Sequence, residues 1–304
     1  MNFAKNNLIK SIIPMKKKIL LPAILFAISL PLVVSAQDRT DDKDTIKHGW
    51  THSLISTLNL SQVSYSNWAA GGENALAYNL LINGTSIDEE TQTNWTTNYA
   101  FSYGEARLGN LGLRKTDDKI DLESILAYKM SEHWDPYASV TFKSQFTTSY
   151  KYNNDSLQTK TGVSGFLDPA IATQAIGFSF HHAATIKSRL GLALRETFTN
   201  HYTIYTDDPN TPQIEKSKIE GGFESVTELQ LELDKNIILK SKLELFAPFK
   251  TLDVITVRMD NLLEMKVNKY IVTSLGVQLI NDRIVTPRTQ IKEGLALGLT
   301  YSIF

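Results

Sequence analysis

The chain has no cysteine among its 304 residues. That excludes disulfides, thiolate metal sites and cysteine nucleophiles. It also excludes a lipoprotein-type anchor, which needs a cysteine at the mature N-terminus. After Gln37 no apolar run is long enough for a helical span, because polar residues break every stretch. Positive charge is scarce as well. The whole chain carries −1, and residues 1–36 hold five Lys and no acid. Taking those five from the 31 bases leaves 26 against 32 acids, so a mature chain from Gln37 carries −6. A nucleic-acid binder would show a basic stripe instead.

What is present begins with a leader. Lys16, Lys17 and Lys18 precede an apolar segment from Ile19 to Val34, interrupted by Pro22 and Pro31. Val34, Ser35 and Ala36 then set up a cleavage before Gln37. This is the pattern of a signal peptide over residues 1–36, with Met15 as an alternative start. The run falls short of the ~20 residues that a helical anchor needs. Residues 37–49 form a polar, charged linker.

Residues 50–304 alternate apolar and polar side chains in one segment after another. Such strands have one oily face and one polar face. The alternation predicts twelve strands: 50–65, 74–87, 93–103, 119–130, 136–150, 169–180, 185–199, 218–233, 236–246, 253–267, 270–280 and 291–304. Lys218–Leu233 is the clearest, with Phe223, Leu229, Leu231 and Leu233 opposite Glu220, Glu224, Glu228 and Glu232. In the last strand Leu295, Leu297, Leu299 and Tyr301 face away from Gly294, Ala296, Gly298 and Thr300.

The connections alternate too. Those at 88–92, 131–135, 181–184, 234–235 and 268–269 are tight. Those at 104–118, 151–168, 200–217 and 281–290 are long and polar, while 66–73 and 247–252 are of middle length. The fold expected is all-β: a transmembrane, antiparallel, up-and-down barrel of about twelve strands. Its termini belong on the short-turn, periplasmic side, and its long loops outside. A soluble sandwich or lipocalin-like barrel would share the alternation but not the long/short loop pattern.

Leu58–Ala75 (LNLSQVSYSNWAAGGENA), Trp95–Gly104 (WTTNYAFSYG), Leu108–Asp121 and Ser164–Pro169 (SGFLDP) carry a resemblance. Together they resemble an uncharacterised family of Bacteroidota outer-membrane β-barrel proteins, a domain of unknown function. The resemblance extends over most of residues 50–304. It implies an outer-membrane barrel and supplies no activity. One departure is Phe304, which is out of phase with Tyr301 and Ile303, so the terminal assembly signal is irregular.

Two groups of residues are candidates for function. In the first outward loop, Gly71 and Gly72 permit a sharp reversal that would place Trp68 and Glu73 as a constriction or ligand contact. A structured turn with Trp68 at the membrane rim uses the same residues. The second group is a row of charges. Glu220, Glu224, Glu228 and Glu232 lie between Lys187, Arg189 and Arg195 of the preceding strand and Lys240 and Lys242 of the following one. Cross-strand pairing of these rows predicts a salt-bridged lumen. Catalysis by His201 with Ser149 has no supporting motif, and His181 with His182 would point to opposite faces of a strand. The expectation is a non-enzymatic, porin-like barrel without metal or cofactor. It would be a narrow channel or transport-related barrel, with a loop-presenting structural barrel as the first alternative and a lipid-modifying enzyme as the second. Its expected partners are outer-membrane lipid, lipopolysaccharide, the barrel-assembly machinery and an unidentified small solute.

Overall fold

Alternation along each strand is what sorts this chain into an inside and an outside. The computed structural model describes residues 49–66, 69–70, 72–153, 159–182, 185–283 and 285–303. The predicted leader, the linker up to His48 and Phe304 lie outside the described residues. The wall begins with β1 (Trp50–Val63), β2 (Ala75–Glu89), β3 (Thr93–Leu108), β4 (Arg114–Tyr128) and β5 (Trp134–Ser144). A small hairpin follows, β6 (Ser149–Tyr152) and β7 (Lys160–Ser164). The wall resumes with β8 (Ala170–His182), β9 (Ile186–Phe198), β10 (Ser217–Asp234) and β11 (Ile237–Pro248). It ends with β12 (Thr256–Lys266), β13 (Ile271–Asn281) and β14 (Gln290–Ser302).

Twelve strands form one closed antiparallel barrel in the order β1-β14-β13-β12-β11-β10-β9-β8-β5-β4-β3-β2. Each wall strand pairs with the next wall strand in the chain, and β1 closes on β14 from Ile55↔Ser302 to Asn59↔Gly298. Along that ladder closure leaves no unpaired edge, the condition a sheet must meet inside lipid. Thr57 Oγ1 donates to Thr300 Oγ1 across that seam at 3.2 Å.

Register then fixes the faces. On β14, Leu295 is 74% exposed, and Leu297, Leu299 and Tyr301 share its outward face. On β10, Phe223 is exposed and in phase with Leu229 and Leu231, whereas Val226 is buried on the face of Glu224 and Glu228. A continuous apolar exterior far exceeds the few hundred Å² that a soluble protein leaves in water. Aromatic pairs mark both rims. Trp50 stands 5.7 Å from Trp95 at the short-turn end, and Trp134 stands 5.0 Å from Phe180 there. Phe223 meets Phe249 edge-on at 5.2 Å at the other end. An oily band between two aromatic girdles is the exterior of a membrane-spanning barrel.

Two expectations need correction. Residues 104–118 are not a long loop: β3 and β4 continue through most of it and turn at 109–113, where Gly109 has φ 56°. Polar side chains suit a ladder standing above the lipid as well as a loop, and pairs such as Glu105↔Lys115 extend it. The fifth predicted strand was extended to Tyr150, but β5 ends at Ser144. Asp118 accepts hydrogen bonds from the backbone N–H of Phe146 at 2.7 Å and of Thr147 at 2.8 Å, which turns the chain away from the wall.

The face assignment makes a direct prediction. Leu229→Arg, on the lipid face, should cost about 2–4 kcal/mol of barrel stability near mid-depth. Glu228→Gln, on the wet face of the same strand, should cost far less. Urea unfolding in lipid vesicles checks both, and equal responses would reject the register.

Candidate functional site

The lumen has a filled half and an open half. The filled half lies against β5, β8, β9, β10 and β11. Tyr137, Ala175, Ala193 and Phe246 cluster there, with Tyr137 only 5% and Phe246 only 1% exposed. Glycines make this packing possible. A Cβ on Gly191 would lie 2.7 Å from Tyr137 Oη, and one on Gly222 would lie 2.9 Å from the Phe246 ring. The Arg195 guanidinium carbon sits 3.7 Å from the ring centroid of Phe246, a cation–π contact inside the barrel.

Charges bridge the lumen beside this cluster. Glu123 of β4 is the hub. Arg189 Nη2 of β9 donates to Glu123 Oε1 at 2.6 Å, and Lys242 Nζ of β11 donates to Oε2 at 3.0 Å. Lys242 also lies 3.4 Å from Glu244 and 3.5 Å from Glu228. Lys143 of β5 pairs with Glu244 of β11. β4 and β11 are on opposite walls in the strand order, so these pairs tie one side of the barrel to the other. Nearer the end opposite the short turns, Lys292 of β14 reaches Asp117 of β4 at 2.6 Å, and Asn79 Nδ2 donates to the same carboxylate at 3.1 Å. Pairs enclosed this way are poorly screened, so their attraction is stronger than that of pairs on the surface.

The open half is a cavity of about 1840 Å³. It runs from Ser53 and Thr85, towards the short-turn end, to Tyr150 and Tyr152 of the β6–β7 hairpin at the other end. Its wall belongs mainly to β1–β4 and β12–β14. There the inward positions are small or polar, such as Gly294, Ala296, Ser274, Gly276 and Asn83, and leave space that Tyr137 and Phe246 fill opposite.

The predicted charge rows are therefore rearranged. Glu228 does meet Lys242, and it stands opposite Lys187 in register. Glu220 is in register with Arg195 but takes Lys218 at 2.8 Å. Lys240 pairs along the wall with Glu264 of β12 at 2.6 Å. Arg189 crosses to Glu123, Arg195 lies over Phe246, and Glu224 lies near both arginines. Glu232 is exposed near the short-turn end. Side chains pointing inwards from neighbouring strands converge on the axis, so long Lys and Arg reach acids on the far wall as readily as on the next strand. Glu123, Glu244 and Lys143 were the residues missed. The inward phase of Asp121 and Glu123 on β4 against Lys143 on β5 was the available signal.

The glycine-loop candidates do not join this lumen among the described residues. Trp68 and Gly71 lie outside them. Gly72 has φ 139°, and a Cβ there would sit 2.6 Å from the Tyr65 ring. Glu73 packs against Gly109 of the neighbouring turn, where a Cβ would meet its Oε2 at 2.7 Å. Asn74 ties the loop together: its Oδ1 accepts from the Tyr65 N–H at 2.7 Å, and its carbonyl from the Gly109 N–H at 2.7 Å.

Loops at the end opposite the short turns are organised by buried aspartates. Asp168 accepts from the backbone N–H groups of Asn200, His201 and Tyr202 at 3.0, 2.7 and 3.4 Å. The His201 ring lies outside that nest, with Nδ1 3.8 Å from Asp168 and its side chain 78% exposed. In the same loop, hydrogen bonds from Thr211 and from the backbone of Asp208 hold the Glu215 carboxyl below its usual range.

A family model described as "Protein of unknown function (DUF3078)" matches residues 60–150. No curated protein matches the chain. Among solved structures, the chain is similar to an outer-membrane channel from Pseudomonas putida F1, at 11% identity and TM-score 0.39, covering 88% of this chain and 99% of that one. It is similar to the translocator domain of the autotransporter NalP from Neisseria meningitidis, at 10% identity and TM-score 0.38, covering 85% and 90%. It is also similar to the porin NanC, at 8% identity and TM-score 0.35, covering 83% and 98%.

Proposed function

We propose that this chain is a narrow outer-membrane channel, with both chain termini on the periplasmic side and its long loops outside. The observation that supports this reading is the cavity running along the β1–β4 and β12–β14 wall beside a packed, salt-bridged half. A barrel that only presented loops would have no use for an open lane past Ser274, Gly276, Gly294 and Ala296. The lipid and lipopolysaccharide of the outer membrane are its solvent, met by the leucine-rich exterior. The leader over residues 1–36 belongs to export, and the assembly machinery inserts the strands.

Purified protein in planar bilayers tests the proposal. Small, discrete conductance steps are expected, since the passage uses only part of the lumen. A second reading, a structural barrel presenting loops, is favoured by the cross-lumen pairs. It gains if the bilayers stay silent while the protein is folded and inserted.

A further inference from the structure

The ladder that closes the barrel is short. β1 pairs with β2 over the whole of Trp50–Val63, and β13 pairs with β14 from Ile271↔Leu299 to Ile280↔Gln290. Between β1 and β14 the pairing ends at Asn59↔Gly298. Continuing that register would set Leu60 against Leu297 and Val63 against Gly294. Among the described residues no such pair forms, so the wall has a gap at the end opposite the short turns. Exposure agrees with this. Leu60, Ser61, Gln62 and Val63 are exposed on both phases of β1, and so are Glu293, Gly294 and Leu295 on β14. A Cβ on Gly294 would meet nothing within 4 Å.

The cavity reaches this gap. Leu60, Ser61, Gly294, Leu295, Ala296 and Leu297 all line it. Strand edges with unpaired N–H and C=O groups do not stand in hydrocarbon; at membrane depth they persist where a cavity brings water to them. The outer lip of the gap is nonetheless apolar, since Leu60, Leu295 and Leu297 are exposed on the lipid-facing phase. The inner lip carries only the small side chains of Ser61 and Ala296 beside Gly294. Water therefore reaches one side of the opening and lipid the other. A molecule with a polar head and an alkyl chain satisfies both sides at once, because its head stays hydrated and its chain stays out of water.

We infer that the β1–β14 seam is a lateral opening that seats an alkyl-chain amphiphile, with its polar head in the cavity and its chain in the leaflet at the end opposite the short turns. This goes beyond the channel reading, because a lateral site needs no current along the barrel axis.

Two cysteine pairs and one photolabel test it, all in refolded protein in lipid vesicles. Thr57 and Thr300 face each other within the ladder, with their Oγ1 atoms 3.2 Å apart. Thr57→Cys with Thr300→Cys should close to a disulfide on mild oxidation, which also shows that the barrel has folded. Ser61→Cys with Ala296→Cys should stay reduced under the same conditions, because a disulfide needs Cα atoms within about 7 Å. Palmitic acid with a diazirine at its chain end should then mark Leu60, Leu295 and Leu297 severalfold more than Leu190 and Leu192, which are exposed elsewhere on the exterior. With the diazirine beside the carboxyl group, the label should move to Ser61, Ala296 and Ser274 in the cavity. Ready closure of the second pair means an intact wall and overturns the opening. Failure of the first pair overturns the register from which the gap is read. Even labelling around the exterior, or no label in the cavity from the head-end probe, overturns the amphiphile as occupant. Seam labelling in protein that is silent in planar bilayers upholds this inference and counts against the channel reading alone.

Discussion

Glu123→Ala should destabilise the barrel by about 3–5 kcal/mol, the loss expected when one member of a buried charge network is removed. Glu123 is only 4% exposed and accepts from both Arg189 and Lys242. Its removal leaves two enclosed cations with one acid fewer between opposite walls. The effect belongs to the hub and not to every pair. Glu264, whose partner Lys240 is 46% exposed, should lose no more than about 1 kcal/mol on conversion to Ala. Urea unfolding of both variants in lipid vesicles measures the contrast. Comparable losses would mean that the lumen is wet and well screened at Glu123.

Opening the filled half should have the second large effect. Tyr137→Ala and Phe246→Ala each remove an aromatic side chain from a packed cluster, a change worth about 3–5 kcal/mol. Made together, they should also raise conductance clearly, because they convert the packed half into a second lane beside the existing cavity. Val226 and the alanines Ala175 and Ala193 are too small to refill it. A conductance equal to wild type in a folded double variant would show that current does not pass this level of the barrel.

The wall of this barrel was legible because each strand carries its own signal. Leu295, Leu297, Leu299 and Tyr301 alternate with Gly294, Ala296, Gly298 and Thr300, and the faces are as that phase requires. The even, meandering strand order follows from tight turns that leave no room for crossovers. The lumen was legible only in part. Phase says that Arg189 and Glu228 point inwards, but the distance across the barrel decides whom they meet. That distance depends on tilt and register summed over all strands. Phase on β4 marks Glu123 as inward, but its role as hub is a product of this closure.

The filled half did leave a trace. Tyr137 and Phe246 are aromatics on the charged phase of β5 and β11, next to Lys143 and to Lys242 and Glu244. An apolar residue on the wet face of an amphipathic strand marks an interior plug. Asp118 and Asp168 lie in the segments Leu108–Asp121 and Ser164–Pro169 that carry the resemblance, and their physical role is to collect backbone N–H groups where loops leave the wall.

The native absence of cysteine permits a direct test of the divided lumen. Single substitutions Asn83→Cys, Ala193→Cys and Leu297→Cys place one thiol in the open half, one in the filled half and one in lipid. A membrane-impermeant, water-soluble thiol reagent should label the first rapidly and block current through it, and should leave the other two unreacted. Labelling of Ala193→Cys at the rate of Asn83→Cys would contradict the filled half, and rapid labelling of Leu297→Cys would contradict the membrane-facing exterior.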